Sequence, residues 1–241
     1  METSHKGSTS GERPSLVAGI VSRGLQVVVM FLVQAIVLFL AVGRLSWGWG
    51  WLFLGIYFIS VLINSVFMLR TNPETVAERG RPKEMRNWDK VVGGLWSLFQ
   101  FLLLPVVAGL DVRFGWAPEP SLRWHLAGVF GFSAGLGLFG WAMISNAFFS
   151  TVVRIQADRG QTVSRAGPYR YVRHPGYLGG VVQSLAIPLL LGSWWSLIPG
   201  VAAAALMVIR TRFEDQVLQV ELNGYSDFTK QVRYRLVPRI W

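Results

Sequence analysis

Long apolar stretches constrain this chain more than any other feature of its sequence. Four of them reach the roughly 20 residues that an α-helix needs to cross the hydrocarbon core of a bilayer. These four stretches run over residues 17–42, 47–69, 91–110 and 124–150. Two further stretches, 177–191 and 194–209, are nearer to about 15 residues and are separated only by Gly192 and Ser193. We therefore expect six spans, of which the last two form a short helical hairpin.

The composition agrees with a bundle of membrane helices. Charged residues make up only 15% of the 241 residues, whereas soluble domains carry about 25%. The sequence predicts an all-α, polytopic bundle that forms one integral membrane domain over residues 1–241, with a flexible tail over residues 1–16. The chain has no cysteine, which excludes disulfides, thiolate metal sites and cysteine nucleophiles.

The basic residues predict the orientation of the bundle. All but three of the 23 lysines and arginines lie in the amino-terminal segment, the second and fourth connections and the carboxy-terminal tail. The exceptions are Arg44, Arg113 and Arg123. The positive-inside rule then places both termini in the cytoplasm, together with the connection after the fourth span. The net charge of +10 is interpreted as contact with lipid headgroups, and no nucleic-acid partner is expected.

Three weaker signals are given structural interpretations. Residues 135–140 match G-x-G-x-x-G, but they lie inside an apolar stretch, so with Gly131 they indicate close helix packing rather than a dinucleotide site. His125 is interpreted as an interfacial residue, and the three histidines of the chain are too scattered to predict a metal site. The mixed-charge connection over residues 71–90 is interpreted as an amphipathic interfacial stretch.

Residues 167–180 read GPYRYVRHPGYLGG and form the connection before the fifth span. Pro175 suits the first turn of a helix, and the glycines around it would let a ligand approach the backbone. A helix amino terminus flanked by Arg170 and Arg173 favours an anion, and the tyrosines offer ring faces to a flat heterocycle. The alternative is a positive-inside loop with interfacial tyrosines.

Residues 210–218, RTRFEDQVL, follow the sixth span. If the last helix continues out of the membrane, Arg210, Glu214 and Leu218 share one face. Glu214 and Asp215 would then attract a cation, although an Arg210–Glu214 ion pair worth a few tenths of a kcal/mol is the alternative. Because a hairpin brings its two open ends together, these carboxylates should face the basic loop. A ligand that carries an anion, a cation and a purine, such as S-adenosylmethionine, fits the two surfaces better than NADPH, whose phosphates the carboxylates would repel.

At these residues the chain resembles the isoprenylcysteine carboxyl methyltransferase family and the related phospholipid methyltransferases. The resemblance rests on GPYRYVRHPGYLGG, RTRFEDQVL and the final YSDFTKQVRYRLVPRIW, and covers about residues 146–241. The stretch NPETVAERGRPKEMRNWDK, residues 72–90, resembles bacterial members. The family usually has two glutamates in the exit helix, whereas this chain has Glu214 and Asp215, which leaves the individual role of the shorter Asp215 open.

The resemblance implies a helical enzyme of the bacterial inner membrane that binds S-adenosylmethionine in a cytoplasmic pocket formed by residues 146–241. It also implies a hydrophobic, lipid-like methyl acceptor that arrives from the membrane, and no metal. The expected catalytic residues are Arg173, His174 and Glu214. Residues expected at the cofactor are Tyr169, Arg173, His174, Pro175, Tyr177, Leu178, Gly179, Glu214, Asp215, Tyr234 and Arg235. Residues expected at the acceptor are Asn146, Arg210 and Arg212, although the two arginines could equally bind lipid headgroups.

Two other functional classes remain open from the sequence. Membrane sterol reductases carry similar tyrosine-proline-glycine loops and use NADPH, so a reductase is one alternative. A non-catalytic membrane scaffold is the other. For His174 a role in binding the cofactor is favoured over general-base catalysis, because transfer of a methyl group need not move a proton.

Overall fold

The computed structural model describes residues 12–81 and 84–241. Helices dominate these residues and are connected by loops and turns. The α-helices are α1 (Glu12–Val42), α2 (Gly48–Thr71), α3 (Pro73–Gly80), α4 (Asn87–Ser97), α5 (Leu104–Phe114), α6 (Leu122–Ile144), α7 (Pro175–Leu191), α8 (Leu197–Glu221) and α9 (Tyr225–Gln231). A π-helical segment, Leu98–Leu103, joins α4 to α5, and two 3₁₀ turns, Ala157–Arg159 and Gly167–Arg170, lie between α6 and α7.

Within the described residues, four helical segments are long and apolar enough to cross a bilayer, which confirms the predicted polytopic helical bundle. They are Ser15–Val42, Gly48–Thr71, Asn87–Phe114 and Leu122–Ile144. Large apolar side chains on them are solvent-accessible in the isolated chain, for example Leu40 at 72% and Phe130 at 77%. Apolar surface of this extent belongs against lipid, so the molecule is an integral membrane protein.

The helical hairpin consists of α7 and α8. α7 has 17 residues, begins at Pro175 as predicted and ends at Leu191. Its C-cap residue, Gly192, has a positive φ of 78°, which suits glycine. α8 has 25 residues and continues past the predicted end at residue 209 to Glu221. The exit helix therefore continues from the apolar stretch without a break. That α7 and α8 each cross the bilayer stays a prediction.

Glycines line the contact between α6 and α7. A Cβ atom added to Gly128 would lie 2.2 Å from the backbone nitrogen of Leu190, and one added to Gly135 would lie 2.8 Å from the carbonyl oxygen of Gly179. The two backbones touch at both points, so neither α6 position has room for a side chain. The packing interpretation is confirmed for Gly135 and for Gly131, where an added Cβ atom would lie 3.0 Å from the Ala186 Cβ, and the G-x-G-x-x-G match lies wholly inside α6. Gly128 was not singled out by the sequence, and a Cβ atom added to Gly137 meets nothing within 4 Å.

Three sequence expectations need revision. His125 is 2% exposed, stacks on Trp49 at 4.0 Å between ring centroids, and places Nδ1 2.9 Å from the Leu190 carbonyl oxygen. It is thus a core residue, and its interpretation as an interfacial residue was wrong. α6 ends at Ile144 rather than at residue 150, because the Asn146 side chain accepts the Phe148 N–H at 2.9 Å and turns the chain.

The third revision concerns the connection over residues 71–90. It contains the helix α3, which packs on α1, and a Cβ atom added to Gly80 would lie 2.1 Å from the carbonyl oxygen of Gly19. The part of the connection that forms α3 is thus folded onto the bundle, and its location at the membrane interface stays a prediction. Of the tail predicted over residues 1–16, residues 1–11 lie outside the described residues, and residues 12–16 already belong to α1.

Candidate ligand site at the start of helix seven

The segments that follow α6 converge beside the first turn of α7. A second apolar core lies there, separate from the core of the bundle, and its buried members are Ala142, Tyr169, Leu222, Tyr225 and Phe228. The short helix α9 contributes the last two of these after a turn at Gly224, whose φ is 78°. This core fixes α9 and the 3₁₀ turn Gly167–Arg170 against the end of α8.

Asp215 is the centre of a buried polar cluster beside this core. It is 0% exposed. Arg173 donates to it through Nε at 2.8 Å and Nη2 at 3.1 Å, and Arg235 donates through Nε at 2.8 Å. The Tyr225 hydroxyl donates at 2.9 Å, and His174 Nε2 lies 3.2 Å from the same carboxylate oxygen. The Asp215 carboxylate thus connects α8 to the loop before α7, to α9 and to the carboxy-terminal tail that follows α9.

The donors around Asp215 stabilise the charged form of its carboxyl group. Burial by itself would raise the pKa of Asp215, but the hydrogen bonds from the imidazole and the two guanidinium groups outweigh burial and hold that pKa well below its usual range. Arg173 Nη1 also donates to the carbonyl oxygens of Val232 and Arg233, at 2.9 and 2.7 Å. Four of the five N–H bonds of this guanidinium are therefore used inside the chain.

The tail is fastened to the loop through the backbone as well. The N–H groups of Arg173 and His174 donate to the carbonyl oxygens of Tyr234 and Arg235, both at 2.9 Å. The Arg235 guanidinium lies 5.0 Å from the ring centroid of Trp241. The carboxy-terminal tail therefore lies directly against the loop before α7.

A cavity opens beside the Asp215 cluster, between the loop over residues 146–164, the start of α7 and the end of α8. Its volume is about 840 Å³, including its open mouth. The aromatic side chains that line it are Phe148, Phe149, Tyr169, Tyr177, Tyr225 and Phe228. Its charged lining residues are Arg154, Arg173 and Glu214. The cavity thus combines ring faces with groups of both charges.

Glu214 is the carboxylate that lines the cavity. It accepts a hydrogen bond from the hydroxyl of Tyr177, and no ion pair to it is formed by the described residues. His174 stacks on Tyr177 at 5.8 Å between ring centroids and directs Nε2 toward Asp215 and the Tyr225 hydroxyl, 3.2 Å from each. His174 is the N-cap residue of α7, but its side chain makes no capping hydrogen bond. Glu214 and Asp215 are adjacent in the sequence, but Glu214 lines the cavity and Asp215 is buried in the polar cluster.

Several predicted site residues meet at the cavity and others lie away from it. Those that line it are Asn146, Tyr169, Arg173, His174, Tyr177 and Glu214. Those not among its lining residues are Pro175, Leu178, Gly179, Arg210, Arg212, Asp215, Tyr234 and Arg235. A Cβ atom added to Gly179 would meet α6, 2.7 Å from the Gly135 carbonyl oxygen, so the bareness of this position serves helix packing.

The position of Arg210 contradicts one of its sequence interpretations, and its expected role at the acceptor stays a prediction. Its guanidinium binds Asp89, with Nε 2.7 Å from Oδ1, so the alternative of an Arg210–Glu214 ion pair is wrong. Arg212 is exposed, on the outside of α8. No group of three or more His, Cys, Asp or Glu that could hold a metal ion occurs within residues 12–81 and 84–241.

Sequence reasoning missed Arg154, which lies between α6 and the first 3₁₀ turn. It forms ion pairs with Glu78 at 2.6 Å and Asp158 at 2.9 Å. Its Nε–H is buried and has no hydrogen-bond partner in the described part of the chain. Since Arg154 lines the cavity, it offers a donor to an anionic ligand. No motif distinguishes this arginine from the others that set the orientation of the chain.

Comparison with known proteins agrees with this geometry. Residues 124–222 match the family model described as Phospholipid methyltransferase. The resemblance drawn from the sequence is confirmed for this part of the chain, which holds the start of α7 and all of α8. The chain is also 32% identical over 81 residues to the uncharacterized protein YpbQ of Bacillus subtilis (strain 168). That alignment covers 33% of this chain and 47% of the relative, so the chain spans about half the length of the curated protein it matches.

Proposed function

We propose that the protein is a membrane methyltransferase that uses S-adenosylmethionine and methylates a hydrophobic or lipid-like acceptor. One observation carries the proposal: within a segment that matches the phospholipid methyltransferases, the carboxylate of Glu214 lines a cavity walled by aromatic rings. A carboxylate beside ring faces favours a ligand that is both cationic and heteroaromatic. This pair of properties distinguishes S-adenosylmethionine from NADPH.

The cavity offers a partner for each polar part of the methyl donor. Glu214 would hold the ammonium group and Arg154, through its unpartnered Nε–H, the carboxylate. The rings of Phe148, Phe149 and Tyr169 would hold the adenine. When bound, S-adenosylmethionine would supply an electrophilic methyl group on a sulfonium ion.

The groups around the site favour positioning and exclusion of water over proton transfer. His174 Nε2 is engaged by Asp215 and the Tyr225 hydroxyl, which supports a structural role for this imidazole and argues against its Nε2 as a general base. The tail is bonded to the loop through Tyr234 and Arg235 and so holds Arg173 and His174 beside the cavity. Most of the rate enhancement would then come from placing the acceptor against the methyl group.

The proposed acceptor is hydrophobic because the site lies at the end of a lipid-exposed bundle. Val152, Val217 and Leu218 line the cavity together with the phenylalanines, so part of its wall is apolar. Incubation of the protein with radiolabelled S-adenosylmethionine and either membrane lipids or small polar acceptors tests this expectation. We expect label in the lipid fraction, and label confined to small polar acceptors would contradict a lipid-like acceptor.

The cofactor assignment is tested by ligand-dependent thermal unfolding of the detergent-purified protein. S-adenosylhomocysteine should raise the midpoint and NADPH should not. The reverse result would favour the reductase, and stabilisation by neither ligand would favour the scaffold.

A charge-neutral variant sharpens the same test. Glu214→Gln should weaken S-adenosylhomocysteine binding about ten- to hundredfold, because it removes a charge-assisted hydrogen bond to the ammonium group. Asp227→Asn is the matched control, since it removes one negative charge from exposed α9 at the same end of the molecule. Equal affinities of the Glu214→Gln and Asp227→Asn variants would mean that Glu214 does not bind the donor.

A further inference from the structure

The partner of Arg210 is a residue from a distant part of the chain. Arg210 and Glu214 are four residues apart on α8, a spacing at which opposite charges pair on a helix surface. The guanidinium of Arg210 instead binds Asp89 through two hydrogen bonds, Nε to Oδ1 at 2.7 Å and Nη2 to Oδ2 at 3.2 Å. Arg210 thus pairs with a carboxylate 121 residues away in the sequence rather than with one on its own helix.

Both carboxylate oxygens of Asp89 accept hydrogen bonds. It lies in the first turn of α4 and is 1% exposed. Besides binding Arg210, its Oδ2 accepts the backbone N–H of Val153 at 2.8 Å. Arg210 in turn donates to the Thr151 carbonyl oxygen at 3.0 Å. The pair therefore fixes the loop that forms one wall of the cavity.

The placement of Arg210 decides the charge that the cavity presents. The guanidinium carbon lies 5.4 Å from the ring centroid of Tyr177, and the Tyr177 hydroxyl donates to Glu214. Glu214 thus has a neutral hydrogen-bond donor where an arginine was available. Within the described residues no ion pair to Glu214 is formed, and Glu214 lines the cavity.

We propose that Asp89 is a positioning residue that holds Arg210 away from Glu214 and so keeps the Glu214 carboxylate free for the cationic group of the methyl donor. The inference rests on the proposed function and assigns a role to a residue upstream of the segment that matches the family. Without the charge of Asp89, the nearest carboxylate for Arg210 on its own helix face is Glu214. An Arg210–Glu214 pair would then compete with the ammonium group of the ligand.

The test is a titration of S-adenosylhomocysteine into purified wild-type protein and three variants. Asp89→Asn should weaken binding about ten- to hundredfold, as expected when one charge-assisted bond is lost to competition. The double variant Asp89→Asn with Arg210→Gln removes the competing cation, so its affinity should return to within about threefold of wild type. A role of Asp89 confined to holding Val153 would leave the double variant as weak as Asp89→Asn.

Glu221→Gln is the matched control. It breaks the exposed ion pair between Arg86 and Glu221, which also joins the start of α4 to α8 but lies outside the cavity. Its affinity should equal that of wild type. Wild-type affinity in Asp89→Asn would overturn the inference, whereas failure of the wild type to bind would overturn the proposed function itself.

If the Asp89→Asn protein does not fold, because the buried Arg210 is left without its charge partner, the double variant decides. Near wild-type affinity in it, abolished by adding Glu214→Gln, supports the inference. A folded double variant that binds as weakly as Glu214→Gln alone would overturn it, since the pair would then contribute to binding other than through Glu214.

Discussion

The two ends of the helical bundle each bury an aspartate, and the two carboxylates are satisfied in different ways. At the end where α7 finishes, Asp111 accepts from Ser193 Oγ at 2.6 Å and from the backbone N–H groups of Ala117 and Trp195 at 3.0 and 3.4 Å. At the end where α7 begins, Asp215 accepts from two guanidinium groups, a tyrosine and a glutamine. Asp111 thus has only neutral donors among these contacts, whereas two of the four groups named for Asp215 are charged.

The difference follows from what each aspartate connects. Asp111 lies in the last turn of α5 and joins it to the turn between α7 and α8, so its donors are a hydroxyl and free N–H groups at chain turns. Asp215 joins the loop before α7, the carboxy-terminal tail, α8 and α9, beside the cavity. Its charged pairs thus add to the small apolar core of Ala142, Tyr169, Leu222, Tyr225 and Phe228 in holding these segments together.

The largest expected effect is the loss of the charged centre. Asp215→Asn should destabilise the protein by about 3–5 kcal/mol, because it leaves two guanidinium groups at the site without their buried partner. Asp111→Asn keeps an acceptor for neutral donors and should cost about 0.5–1.5 kcal/mol. Denaturant unfolding in detergent compares the two variants. A larger loss in Asp111→Asn would show that the neutral cluster, and not the charged one, is the main polar support of the bundle.

A smaller effect is expected at the glycine contact that runs between the two ends. Gly128→Ala places a methyl group 2.2 Å from the backbone of Leu190, and overpacking of this kind typically costs about 1–3 kcal/mol. Gly137→Ala is the control, since a Cβ atom there has no neighbour within 4 Å. The same unfolding measurement should place Gly137→Ala within about 0.5 kcal/mol of wild type. An equal loss in both variants would point to a general intolerance of α6 to alanine.

Sequence reasoning recovered the features that depend on local pattern. Four apolar helices followed from stretch length, the start of α7 from Pro175, and the packing glycines of α6 from their spacing. The motif GPYRYVRHPGYLGG contributed Tyr169, Arg173, His174 and Tyr177 to the cavity lining. Each of these signals lies within one continuous stretch of the sequence, so it can be recognised without the tertiary fold.

The remainder depends on contacts between distant segments. Asp89 lies 121 residues from its partner Arg210 in the sequence, and Arg154 lies 76 residues from its partner Glu78. Neither Asp89 nor Arg154 carries a local signature. His125 was misjudged for the same reason, because its burial results from Trp49 and the end of α7. A helix-local rule favoured the Arg210–Glu214 pair, and a tertiary partner replaced it.

The smallest expected effect separates a structural hydroxyl from one at the site. Ser193→Ala removes the hydroxyl donor of Asp111, and Tyr225→Phe removes the hydroxyl donor of Asp215. Each should reduce the free energy of unfolding by about 1 kcal/mol, the typical net worth of one hydrogen bond. Their effects on ligand binding should differ, because Tyr225 lines the cavity and also lies 3.2 Å from His174 Nε2. A titration with S-adenosylhomocysteine should show weaker binding by Tyr225→Phe and unchanged binding by Ser193→Ala. Weakened binding by Ser193→Ala would mean that the two ends are coupled through α7, and that the neutral cluster contributes to the site from the far side of the bundle.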